Sequence, residues 1–410
     1  MNQDATTVLL TCLGYASETT KKDQLTNVSA RQWRMVAELA RQHGVTPLLY
    51  HHLKRLGIAL PGELAEKLKQ AFLENAARNM CLYQELGKLL LRLQGQDIAV
   101  IALKGAHLAE AVYDNIGLRA MGDVDLLVRK DDLLRVEQEL LALGYKPDDC
   151  NRVIAQSNHH FHYTLPKSGL HVEIHWVLVE SGLPFQVDVE GLWNRAQSVT
   201  LAQVSALALS PADLLLHLCL HTAKHTYNMR IRMLCDIGEV VRRYGTGLDW
   251  QEIGTRAWQW GITHAVYVFL RLAQELLEVA VPVDWLASLE PAGIDERYLV
   301  LAHQQILATR MDGGAAQSAQ AARLWGPKGL GNKIAIICNS LLPSRESMAI
   351  MYPAPVNSWR IYLYYPVRIK DVLARHGAML WRLARGDSKT RVATERINQV
   401  TALRDWLMSE

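Results

Sequence analysis

The sequence predicts a layered α/β or α+β domain framed by helical regions. Two observations carry this. Between residues 96 and 205, short apolar runs of strand length alternate with runs of helical period, in the order strand, helix, strand, helix, strand that suits a sheet covered by helices. On either side, apolar residues recur at helical spacing, as in helices that bury one face.

Residues 1–95 are expected to be an N-terminal helical region. Arg31 to His43 carries Trp33, Val36, Ala37, Leu39 and Ala40 at helical spacing, and Gly44 stops it. Leu64 to Leu93 is a long helical stretch with Leu68, Phe72, Ala76, Met80, Tyr83, Leu86, Leu90 and Leu93 on one face. Asn75, Asn79 and Glu85 fall among them and are expected on a solvated or helix-packing face. Gln94 to Asp97 then turns the chain into the apolar run Ile98 to Ala102, a strand.

Residues 96–205 are expected to hold the chemistry. Leu103-Lys104-Gly105-Ala106 leaves that strand and leads into a helical run from His107 to Tyr113. A glycine at a strand-to-helix turn lets a phosphate approach the backbone, and a helix N-terminus offers free N–H groups to an anion. Lys104 adds a positive charge. Downstream, Asp123 and Asp125 lie in the strand-like segment Asp123-Val124-Asp125-Leu126-Leu127-Val128. Successive side chains of a strand alternate faces, so both carboxylates point the same way and repel unless a cation lies between them. A hard divalent cation such as Mg²⁺ takes oxygen ligands and keeps phosphates or water in its remaining positions; Mn²⁺ is the alternative. Glu173 sits in a second strand-like run, Leu170 to Val177. Beside the first strand it would complete three acids around two cations, the arrangement used for in-line displacement at phosphorus.

The remaining features of this region are weaker. Asp131 to Leu143 reads as a helix ended by Gly144. His160 and His162 alternate onto one face of a strand; with His159 they could be metal ligands or phosphate contacts, and are expected instead to be partly buried hydrogen-bonding groups. His175 shares the face of Glu173 and can orient a carboxylate or touch a phosphate.

Residues 206–300 are expected to be a helical domain closing the cleft. Ser210 caps a helix with Pro211 in first position. His217, His221 and His225 recur every fourth residue and share one face, with Lys224 beside them. No carboxylate follows Asp213 in that helix, so the face is expected to border the cleft rather than hold structural zinc. Asp236 is expected to pair with a histidine or arginine of this face. Residues 301–410 read as a mostly helical region with loops at Asp312–Ala316 and Trp325–Gly331. The aromatic and basic stretch from Trp359 to Lys370 could touch a membrane surface or an acceptor, and is expected instead to be a helix packed on the body with its basic groups exposed.

Taken together, Leu103-Lys104-Gly105, Tyr113, Arg119, Asp123-x-Asp125-Leu126-Leu127-Val128, Gly144-Tyr145 and Glu173-x-His175-Trp176 resemble the bacterial nucleotidyltransferase families of the DNA polymerase β-like superfamily. An Asp-x-Asp pair alone also describes a solvated strand end; the ordered set of glycine turn, paired acids and third acid carries the likeness. It is strongest over residues 96–180. The resemblance implies an α+β fold with a small mixed sheet, and three carboxylates, Asp123, Asp125 and Glu173, holding Mg²⁺ (or Mn²⁺). It implies nucleotide binding around Lys104, Gly105, Ala106, Arg119 and His175. The activity implied is transfer of an NMP from an NTP, such as ATP, to an acceptor hydroxyl with release of pyrophosphate. The chain departs from the pattern in having Gly105-Ala106 where many members have Gly-Ser or Gly-Gly, which removes one hydroxyl contact to phosphate.

Composition bounds the rest. A net charge of +3 gives no electrostatic case for nucleic acid. The six cysteines are scattered without metal-site spacing, which fits reduced thiols in a cytoplasmic protein. The N-terminus lacks the basic start of a signal peptide, and no apolar run has the ~20 residues needed to cross a bilayer. The acceptor stays open among a protein side chain, a tRNA end, a sugar and a small molecule. Two rival readings are a non-catalytic nucleotide-binding or interaction protein, and a zinc hydrolase built on His217, His221 and His225.

Overall fold

The computed structural model describes residues 4–148, 159–180, 183–308 and 388–409, with further residues between 342 and 371. The chain forms two compact units, residues 1–309 with 406–410, and residues 310–405.

The first unit begins with five helices, α1 (Ala5–Leu13), α2 (Glu18–Leu25), α3 (Ala30–His43), α4 (Thr46–Leu56) and α5 (Gly62–Gln94). Their ends follow local chemistry. Ser29 and Gln32 form a reciprocal capping box at the start of α3, and Gly44 ends it at a left-handed φ of 69°. The sheet comes next: β1 (Val100–Ala102), the short α6 (Lys104–His107) continued by a π-helical turn at Leu108–Val112, β2 (Asp123–Val128), α7 (Leu133–Ala142), β3 (Lys146–Pro147), β4 (His160–Leu165) and β5 (Leu170–His175). α8 (Val189–Arg195) leads into a hairpin of β6 (Gln197–Leu201) and β7 (Val204–Ala208).

The seven strands lie in the order β3-β4-β5-β2-β1-β7-β6. β2 runs parallel to β5 and β1 parallel to β7, while the other pairs are antiparallel, so the sheet is mixed. With helices before and after it, the fold is α+β, as expected. Val124, Leu126 and Val128 of β2, with Val172 and Ile174 of β5, face a core completed by Leu86, Leu89, Leu90 and Leu93 of α5 and Val136 and Leu140 of α7. Each fully buried aliphatic side chain there stabilises the fold by roughly 1.5–3 kcal/mol.

Beyond the sheet come α9 (Pro211–Lys224), α10 (Ile231–Tyr244), α11 (Trp250–Trp260), α12 (Thr263–Leu277), α13 (Val283–Ser288) and α14 (Glu296–Leu307). Ser210 Oγ accepts from the Asp213 N–H at 3.2 Å, the cap expected for α9. α9, α10 and α12 pack on one another.

Met80, expected on the apolar face of α5, is 63 % exposed. Of the solvated or packing face expected for Asn75 and Asn79, the structure has the packed one, since both are buried. Asn75 Nδ2 donates to Gly117 O at 2.8 Å, and Asn79 Nδ2 to Arg119 O at 2.8 Å and to Ile116 O, so α5 holds the loop before β2 by its carbonyls. The helical run from His107 to Tyr113 is a four-residue α-helix followed by a π turn.

In the second unit, among the described residues, Met348, Ala354 and Ile361 form a small buried cluster with Tyr352, Tyr364 and Tyr365 against it. Trp359–Leu363 is a 3-10 turn, and Trp359 and Tyr362 are exposed. Ser388–Leu407 is a helix, α15. The loops expected at Asp312–Ala316 and Trp325–Gly331 lie outside the described residues. No helix among the described residues is long and apolar enough to cross a membrane.

Candidate functional site

Register builds the site. β2 and β5 are parallel with Asp125 opposite Glu173, Asp123 opposite His171 and Leu127 opposite His175. Asp123, Asp125, Glu173 and His175 therefore share the sheet face away from the α5 core. β4 adds two histidines to that face, since His162 is opposite Glu173 and His160 opposite His175.

Asp125 is the centre of the charge. Its side chain is buried, with the residue 3 % exposed. Lys104 Nζ donates to Asp125 Oδ1 at 2.6 Å, and His175 Nε2 lies 3.0 Å from the same oxygen. Burial would raise the carboxyl's pKa, but Lys104 and His175 outweigh it and hold Asp125 well below the usual range. Burial likewise opposes the charge on Lys104, and Asp125, Glu173 and Asp123 overcome it, raising its pKa. His175 Nε2 is also 3.3 Å from Glu173 Oε2, so one imidazole orients two carboxylates. Glu173 is kept low against its burial by that hydrogen bond. Asp123, at the exposed end of β2, goes the other way: partial burial and then repulsion from Asp125 and Glu173 raise it.

The turn before the site departs from expectation. Lys104, rather than Gly105, takes the left-handed backbone, at φ 42°. Such a conformation is uncommon for a residue with a side chain and is held here by the ion pair to Asp125. Gly105 is buried, and a Cβ there would lie 2.5 Å from Arg119 Nη1 and 3.1 Å from Met121 Sδ. The glycine is thus required by internal packing, where phosphate approach was the expected reason. Ala106 is wholly buried in the core and its carbonyl accepts from Tyr83 Oη at 2.5 Å, so it presents no side chain to a phosphate.

Arg119 was expected on the nucleotide. Its guanidinium is instead buried and bidentate on Asp236 of α10, Nε and Nη2 each donating at 2.8 Å, with Tyr113 Oη donating to the same carboxylate at 2.9 Å. Asp236 does pair with an arginine, but one 117 positions earlier in the chain rather than on its own helical face.

The histidine face of α9 lies toward the acids. The charges acting on His217 include those of Lys104, Asp125, His175 and Lys224, and Lys104 and Asp125 act on His221 and His225 as well. Burial, then Lys104, pushes His225 down to about 4, and burial and the same lysine push His217 and His221 down strongly. His217 is 3 % exposed and neither ring nitrogen has a hydrogen-bond partner. Lys224 Nζ donates to Leu178 O at 3.2 Å, tying the end of α9 to the segment after β5.

Two donor sets have ligand atoms within 4.8 Å of one another among the described residues: Asp125 with Glu173 and His175, and His160 with His162 and Glu173. Both lie on the sheet, and the α9 histidines form no such set of their own. Asp123, Asp125 and Glu173 supply oxygen donors that suit a hard cation. The ammonium of Lys104 already sits against Asp125, which is the charge complement that a bound cation would also provide. His160 and His162 are partly buried and hydrogen-bonded to each other, as expected; their alternation was visible in the sequence, and only the β4–β5 register brings them to Glu173.

A family model described as an uncharacterised nucleotidyltransferase matches residues 29–278. No curated protein and no solved structure matches the chain.

Proposed function

The chain belongs to this uncharacterised nucleotidyltransferase family, and from that premise we propose that it moves a nucleoside monophosphate from an NTP, ATP among the candidates, to an acceptor hydroxyl and releases pyrophosphate. The observation that carries the reading is the register that sets Asp125 beside Glu173 on neighbouring parallel strands, with Asp123 two residues away on the same face.

Asp123, Asp125 and Glu173 would hold divalent cations, Mg²⁺ or Mn²⁺, whose chemistry is to neutralise phosphate charge and lower the pKa of the acceptor hydroxyl. His175 holds Asp125 and Glu173 in fixed orientation through its Nε2. Lys104 keeps Asp125 ionised and supplies positive charge beside the acids, which would complement a triphosphate. His217, with both ring nitrogens unpartnered, is available to donate or accept at the acceptor or a phosphate oxygen. Glu173 is the candidate base for the acceptor hydroxyl, since its partly buried carboxylate stays ionised. Catalysis of this kind is mostly positioning and electrostatics.

The test is transfer of label from α-³²P NTPs to protein, RNA and small-molecule acceptor pools, with pyrophosphate release measured in parallel. Label transfer that depends on divalent cation and vanishes in Asp123→Asn supports the reading. No pyrophosphate release from any of the four NTPs with any pool would defeat it.

A further inference from the structure

The acid face carries a second donor set with different chemistry. His160 and His162 alternate on β4, and the antiparallel register sets His162 beside Glu173. His160 Nε2 and His162 Nε2 are 2.8 Å apart, and His162 Nδ1 is 3.4 Å from Glu173 Oε1. The ligand atoms of these residues converge within 4.8 Å. Asp123 is not part of this set.

Two imidazoles facing each other through Nε2 place at most one proton between the two ring nitrogens. A cation between them uses both. At about 2.1 Å from each nitrogen and a tetrahedral angle, a zinc-class ion would set the nitrogens about 3.4 Å apart, an opening of about 0.6 Å that a small ring rotation supplies. Both histidines stand on one strand and Glu173 on its hydrogen-bonded neighbour, so the register brings the three together; Glu173, now against His162 Nδ1, would turn its carboxylate toward Nε2 to ligate. Imidazole nitrogens suit zinc, cobalt, iron and nickel, whereas the all-oxygen set of Asp123, Asp125 and Glu173 suits magnesium.

We propose that His160, His162 and Glu173 form a distinct site for a borderline first-row divalent cation of the zinc class, adjoining the all-oxygen set and sharing Glu173 with it. Three protein ligands leave the fourth tetrahedral position open to water or a phosphate oxygen. The site stands on geometry alone and does not require that the protein transfer nucleotides.

The test is a titration of tag-free, chelator-treated full-length protein with Co²⁺, followed by its visible absorption, with Zn²⁺ as competitor and Mg²⁺ as the hard-cation control. One equivalent of Co²⁺ is expected to bind with a tetrahedral spectrum, to be displaced by Zn²⁺, and to resist Mg²⁺ in ~100-fold excess. His162→Gln and His160→Gln should each weaken Co²⁺ binding by at least about 10- to 100-fold, with melting temperature followed as the folding control. His162 is only half-buried, so H162Q tests ligation without opening the core. Asp123→Asn should leave the cobalt spectrum and affinity unchanged. Equal Co²⁺ affinity in wild type and both histidine variants overturns the proposal, as does wild-type binding of Co²⁺ no tighter than of Mg²⁺, or loss of the spectrum in D123N. Absence of nucleotidyl transfer alters none of these readings, so the two proposals fail separately.

Discussion

The two faces of the sheet divide the labour of one short strand. On one face of β2, Val124, Leu126 and Val128 enter the core under α5 and α7. On the other, Asp123 and Asp125 stand among Lys104, His175 and Glu173. Neighbouring residues of a strand therefore answer to different physics: Leu126 to packing, Asp125 to charge. A substitution on the first face should change stability and leave chemistry to the folded fraction. One on the second should change chemistry, and stability only where a buried charge loses its partner.

The sharpest test of that division is within the acid pair. If the proposed transfer holds, Asp123→Asn and Asp125→Asn should each lower turnover by about 10³-fold or more, about 4 kcal/mol. Their stabilities should differ. Asp123 is exposed, so its variant should unfold within about 0.5 kcal/mol of wild type. Asp125→Asn leaves the Lys104 ammonium, on a side chain only 15 % exposed, without its main counter-charge and should lose about 3–5 kcal/mol. Urea unfolding of the two variants side by side measures this, and equal stabilities would break the distinction drawn here.

On the opposite face, Leu126→Ala should cost about 2–5 kcal/mol through the cavity it leaves, since Leu126 is 0 % exposed. Turnover per folded molecule should stay within about twofold. A large fall in turnover at full folding would mean that the faces are coupled.

Acidity probes the buried imidazoles away from either set of acids. Burial pushes His107 down to about 4, and burial with the nearby Arg230 does the same to His43, from an ordinary 6.5. Below pH 6.5 the unfolded chain takes up protons that the folded chain refuses, so stability is present above 6.5 and is lost as pH falls toward 4. The full gap is worth on the order of 3 kcal/mol per histidine. Urea midpoints at pH 7.5 and 5.0 should differ accordingly, and His107→Asn should flatten the slope.

The smallest effect sits at the turn. Gly105→Ala should cost about 1–3 kcal/mol by pressing on Arg119 and Met121. An unchanged melting temperature would show that Arg119 moves aside freely.

Much of this was legible in the sequence where a short-range pattern sufficed. Period-two alternation placed Asp123 and Asp125 on one face, helical periodicity and the residues Gly44 and Ser210 marked helix ends, and the ordered motifs pointed to the family. What was missed depends on distance or on unusual backbone. Arg119 meets Asp236 across 117 positions, and Asn79 meets Arg119 across 40, separations that no local pattern reports. The β6–β7 hairpin turns at Ala202 and Gln203, both with positive φ (49° and 64°), where asparagine and glycine are the usual signal. Lys104 in a left-handed conformation gives no hint either, because lysine is not chosen for that geometry in isolation.

The loop from Asn115 to Arg119 has one further consequence. Irregular segments usually exchange their amide protons first, through small local openings. This one is held from one side by Asn75 and Asn79 of α5, and from the other by the grip of Asp236 of α10 on Arg119. The Gly117 N–H is itself satisfied by Asn115 Oδ1 at 2.8 Å, and the Leu118 N–H by Asn115 O at 3.0 Å. Those bonds lie within the loop, but opening it as a whole requires α5 or α10 to let go. The loop should therefore exchange at the pace of the helices that grip it, a slow island in deuterium uptake where the backbone alone would place a fast one.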